Sequence, residues 1–107
     1  MDIINEWETC VLTCVFKDND SSVVTPTFMK YWVNDVKSGT KVLNDTTVVM
    51  TDATATIEVD GTNNRILTST NIFEDKELSI QYTFGGGTRD GRKVFRWRVL
   101  NQDFITT

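Results

Sequence analysis

The chain has 107 residues and a mass of 12.2 kDa, a length that suits one domain of ~100–200 residues. Its formal charge of −4 weighs against non-specific nucleic-acid binding, which needs a net basic footprint, and no apolar run approaches the ~18 residues of a membrane span. Histidine is absent, which removes the commonest acid–base catalyst and the commonest metal ligand. Val, Ile and Thr number 12, 7 and 17, whereas Ala and Leu together number 7; such a balance excludes a helical bundle, because β-branched side chains lose rotamer freedom in helices and pack well on pleated strands. The composition is that of a soluble all-β domain.

Residues 1–6, MDIINE, read as an N-terminal arm whose Ile3 and Ile4 would dock on a neighbouring subunit, ahead of a domain spanning 7–107. The first strand runs about 7–16, with Cys10, Leu12, Cys14 and Phe16 on one face. After the loop KDNDSS and Pro26, a second strand at about 28–34 turns Met29, Tyr31 and Val33 inward and leaves Trp32 partly exposed. NDVKSGT is turn chemistry in which Gly39 supplies a positive φ. Short strands follow at 41–43 and 46–51, and then the alternation ATATIEVD faces Ala53, Ala55, Ile57 and Val59 inward. DGTNN is a turn, 65–68 a short strand or a single helical turn, and 69–76 a crossing loop with Ile72 and Phe73 tucked beneath it. ELSIQYTF turns Leu78, Ile80, Tyr82 and Phe84 inward; 85–93 is a glycine-rich hairpin loop; VFRWRVL closes the domain with Phe95, Trp97 and Val99 inside and Arg96 and Arg98 outside. About seven strands with turn signals every ~8–12 residues predict a single antiparallel β-sandwich of immunoglobulin-like or fibronectin-like architecture.

Chemical motifs are few. Cys10 and Cys14 lie four apart on one strand, so their Cα atoms stand ~13 Å apart, whereas a disulfide spans roughly 4.4–6.8 Å. No intradomain disulfide is expected, and the two thiols read as small buried apolar groups. Asp18, Asp20 and Ser22 open like a calcium loop, but Val23 and Met29 stand where its Gly and Glu are required. Gly86 and Gly91 have phosphate-loop spacing, yet Arg92 and Lys93 replace the Lys and Ser/Thr, and the loop feeds a strand where an anion site needs a helix N-terminus. Without histidine a nucleophile–base pair requires an unusual lysine arrangement. The reading is no enzyme, no cofactor and no metal.

Charge is unevenly spread. Residues 85–107 hold five basic and two acidic side chains, against six and thirteen in residues 1–84. A two-sign molecule of this kind can pair with copies of itself or with a larger partner. Taken together, ETCVLTCVFKDND, TPTFMKYWVND, KSGTKV, ATATIEVDGTNNRI, KELSIQYTF and the closing FRWRVLN resemble the small immunoglobulin-like structural proteins of tailed bacteriophages. That resemblance implies a virion component assembled in host cytoplasm, foremost a capsid decoration or cement protein bound to the major capsid protein or other virion proteins. Alternatives are a head–tail or tail component, a module for host glycan or surface protein, or a cytoplasmic regulatory binding protein. The expected contacts are Ile3 and Ile4 on the arm, Arg89, Arg92 and Lys93 against an acidic patch of the shell, and Trp32 as an apolar anchor.

Overall fold

Alternation of apolar and polar side chains dominates the secondary structure. The computed structural model describes residues 2–18, 22–84 and 89–101. Among these are seven strands: β1 (Asp2–Asn5), β2 (Cys10–Val15), β3 (Phe28–Asp35), β4 (Lys41–Val49), β5 (Thr54–Val59), β6 (Phe73–Phe84) and β7 (Arg89–Leu100). The only helical element among them is a 3-10 turn, Gly61–Asn64. The strands form a five-stranded sheet of order β1-β7-β6-β3-β4 and a two-stranded antiparallel sheet of β2 and β5.

One cluster of buried side chains joins the two sheets. Cys10, Cys14, Ala55, Ile57 and Val59 come from the smaller sheet; Met29, Val33, Leu78, Ile80, Tyr82, Phe84, Trp97 and Val99 come from the larger. Phe16, fully buried just after β2, packs against Tyr82 with ring centroids 4.7 Å apart, and Phe84 stacks with Tyr82 at 5.8 Å. The inward faces predicted for β2, β3, β5, β6 and β7 are those observed, because a period-2 pattern leaves each strand one apolar face to bury. Both cysteines are free and buried. Gly39 has a φ of 74° in the turn after β3, the left-handed conformation expected of it.

Several boundaries differ from the sequence reading. Residues 2–5 are a strand of the chain's own sheet, paired in parallel with β7, and Ile4 packs against the core. The larger sheet is therefore mixed and not antiparallel throughout. The two short strands predicted at 41–43 and 46–51 are one, β4; register shifts opposite Tyr31–Asn34 absorb the polar Asn44–Asp45 interruption. The helical turn falls at 61–64, before the predicted 65–68. β6 begins at Phe73 within the predicted crossing loop, and Ile72 and Phe73 are exposed, not tucked under. Its start was hidden because Glu74 and Lys76 occupy inward positions, where charge normally argues against a strand. β7 likewise begins at Arg89, inside the predicted hairpin loop; residues 85–88 of that loop, like Asp20 of the calcium-like stretch, lie outside the described residues.

Candidate functional site

Two of the expected contact residues, Trp32 and Arg92, lie on the outer face of the five-stranded sheet. Antiparallel register fixes their neighbours. Lys30 on β3 pairs with Gln81 on β6, which pairs with Arg92 on β7; Trp32 pairs with Ser79, which pairs with Val94. These two rows place Arg92 beside the half-buried Trp32. The Arg92 guanidinium carbon lies 6.0 Å from the Trp32 ring centroid, and the amines of Lys30 and Lys41 each lie 5.7 Å from it. Cations over an indole at this distance are attracted by the ring quadrupole, worth about 0.5–1 kcal/mol each when exposed. Asp45 accepts from Lys41 at 2.7 Å and lies 3.8 Å from Lys30. The Lys41 hydrogen bond holds its carboxyl below the usual aspartate range. Three cations thus surround one aromatic ring with one carboxylate between two of them. Phe28 and Val49, a facing pair at one end of this surface, are exposed as well.

Elsewhere on this face Asp90 accepts from the Thr83 hydroxyl at 3.1 Å, and two arginines are paired with carboxylates. Arg96 donates to Glu77 at 2.6 Å and Arg98 to Asp75 at 2.9 Å, each pair directly opposed across β6 and β7. The outward arginine ladder expected from FRWRVL is therefore spent on cross-strand links.

The predicted contact residues do not form one site. Trp32 and Arg92 come together. Alternation along β7 turns Arg89 and Lys93 to the opposite face, with Phe95 and Trp97, so no joint basic loop of Arg89, Arg92 and Lys93 exists. Lys93 instead lies close enough to Cys14 for its charge to lower a thiol pKa that burial raises. Ile3 is 61% exposed on the β1 edge opposite Arg98, whereas Ile4 is turned toward the core. Lys30 and Lys41 were missed. Lys30 was legible, two residues from Trp32 on one strand; Lys41 required knowledge of the β3–β4 pairing.

A second cluster was not legible at all. Lys76 is fully buried on β6, with its amine 3.3 Å from Asp35 Oδ1 and 3.2 Å from Glu74 Oε1. Asp35 Oδ2 accepts from the Ser38 hydroxyl at 2.7 Å and the Ser38 backbone N–H at 3.0 Å. Glu74 accepts from the backbone N–H groups of Leu67 and Thr68 and from Asn71. Burial raises both carboxyls, but these donors and the Lys76 ammonium outweigh it, so Asp35 and Glu74 stay below their ordinary ranges. Among the described residues no group of three or more Cys, Asp or Glu side chains could hold a metal ion.

No family model, no curated protein and no solved structure matches this chain.

Proposed function

We propose that the chain is a non-catalytic, immunoglobulin-like β-sandwich that serves as a structural protein of a tailed-phage virion, attaching to an acidic region of the capsid shell through its outer sheet face. The strand order supports the architecture. β7-β6-β3-β4 in one sheet and β2-β5 in the other reproduce the G-F-C-C′ and B-E neighbours of variable-type immunoglobulin domains. Among the described residues the departures are a second sheet of two strands only and no cross-sheet disulfide, since both cysteines lie on β2.

The observation that carries the functional reading is the Trp32 platform. An aromatic ring edged by Lys30, Lys41 and Arg92 offers a partner both apolar area and positive charge, on a chain whose net charge is negative. The partner that complements it is an acidic protein surface. A glycan platform would want several aromatics together; Phe28 shares this face but stands four residues along β3 from Trp32, beyond Lys30, and Trp7 sits in the turn after β1, with its carbonyl against Gly61.

The test is co-sedimentation of the purified chain with particles and empty shells of the phage whose genome encodes it, across a salt series. Stoichiometric binding to shells that weakens with salt is expected. Binding to tails alone would transfer the role to a tail component, and binding to no particle would overturn the virion reading.

A further inference from the structure

We infer that Lys76 and Asp35 are poised to form an intramolecular amide, with Glu74 as the proton carrier. The inference goes beyond the attachment role and does not depend on it. A nucleophile–base pair without histidine needs an unusual lysine arrangement, and β3 and β6 supply one. Asp35 and Lys76 are directly opposed in the antiparallel register, which tethers an amine against a carboxyl group. The Lys76 side chain is fully buried and those of Asp35 and Glu74 nearly so. Held reactants of this kind reach effective concentrations on the order of 10⁵–10⁸ M when aligned.

Each group has a place in the reaction. The reacting form is the rare one in which a proton has passed from Lys76 Nζ to Asp35 Oδ1 along their 3.3 Å hydrogen bond, against the ion pair that the Ser38 donors favour, leaving a neutral amine and a carboxylic acid. Nζ then forms a bond to Cγ of Asp35. The developing negative charge falls on Oδ2, which already faces the Ser38 hydroxyl and backbone N–H, two donors placed as an oxyanion site. The surplus proton on the nitrogen moves to Glu74 Oε1, 3.2 Å from Nζ. Glu74 is kept available as an anion by three N–H donors from Leu67, Thr68 and Asn71. It returns the proton to the Oδ1 hydroxyl, the Cγ–Oδ1 bond breaks, and one water leaves. The balance is one amine plus one carboxylic acid giving one amide and one water, with no oxidant or cofactor. The product removes one cation and one anion from a site where unscreened charge is costly, and it ties the end of β3 covalently to β6.

The test is the intact mass of the folded, then denatured, full chain, with peptide mapping. The expected result is a chain lighter than its sequence by one water, with the peptides bearing Asp35 and Lys76 joined. Lys76→Arg and Glu74→Gln should retain full mass, and Asp35→Asn should lose one ammonia in place of water. Full mass in the unsubstituted chain would leave the cluster an ordinary buried ion group and overturn the inference, whether or not the variants fold. Loss of water mapped to another position would overturn it equally.

Discussion

Asn64 shows how one polar side chain can hold three distant segments. It is fully buried; its amide donates to the carbonyls of Glu8 and Val59 and its oxygen accepts from the Trp97 indole N–H at 2.8 Å. Replacing it with alanine removes the partner of the buried indole donor and one hydrogen bond each from the Glu8 and Val59 carbonyls. Asn64→Ala should therefore cost about 2–4 kcal/mol, read as a lower urea midpoint at unchanged slope. Glu74 is, with Asp35, one of two buried carboxyls whose ionisation ties stability to pH. Its folded pKa lies below its ordinary value of 4.5, so the unfolded chain binds the proton first. Its contribution is complete above about pH 5 and is lost as pH falls through the folded value. Glu74→Gln should flatten the acid side of the stability–pH profile, measured as urea midpoints between pH 7 and pH 3; an unchanged acid limb would show that Glu74 is not the controlling group. Trp97 was placed inside by alternation alone, but nothing near Asn64 in sequence indicates its partners, one of which lies 33 positions away.

At the level of elements, β1 changes the meaning of the N-terminus. Read from sequence, residues 1–6 are an arm free to dock elsewhere, and their removal would leave the domain folded. In the fold they cover the outer edge of β7, and the Glu6 N–H extends the pairing to the Leu100 carbonyl at 2.9 Å. Truncating residues 1–5 should lower the urea midpoint and bare a β7 edge that self-associates, detectable by light scattering. An unchanged midpoint would restore the free-arm reading. The β6–β7 ladder has its own tight point at Gly91, where an added Cβ would meet the Tyr82 ring at 2.2 Å. That ring contacts both Phe16 and Phe84, and its hydroxyl donates to the Lys17 carbonyl. Gly91→Ala should cost about 1–3 kcal/mol, measured by thermal or urea unfolding, because the ring has little room to retreat. In sequence Gly91 belongs to a glycine-rich hairpin loop; its packing role depends on a ring across the sheet.

For the whole molecule, the division of charge matters more than the total. The arginines of the C-terminal segment do not form one basic pole. Arg96 and Arg98 are closed by Glu77 and Asp75, Arg89 and Lys93 face the other way, and Arg92 joins Lys30 and Lys41 around Trp32. Reversing one charge there tests whether the platform is the attachment surface. Arg92→Glu should weaken shell co-sedimentation and reduce its salt dependence, while the urea midpoint moves by less than about 0.5 kcal/mol in stability, as for exposed positions generally. Arg96→Glu serves as the comparison on the same face: it breaks an exposed ion pair and should leave attachment nearly unaltered.

Composition and alternation alone determine that this chain is β-structured, which faces of β2, β3, β5, β6 and β7 turn inward, that Cys10 and Cys14 do not pair, and that Gly39 turns the chain. Those properties are local: each follows from the two-residue period of a strand or from the φ that a turn demands. The partner of β1, the three cations around Trp32 and the burial of Lys76 between Asp35 and Glu74 were decided only by the tertiary structure. Each depends on which strands lie side by side and in what register, and that choice is made by burial summed over segments far apart in sequence. The charged residues at 74 and 76 make the point most sharply. By local rules they end a strand; in the fold the strand continues through them, because Asp35, Ser38, Asn71 and the backbone of 67–68 supply the partners that burial requires.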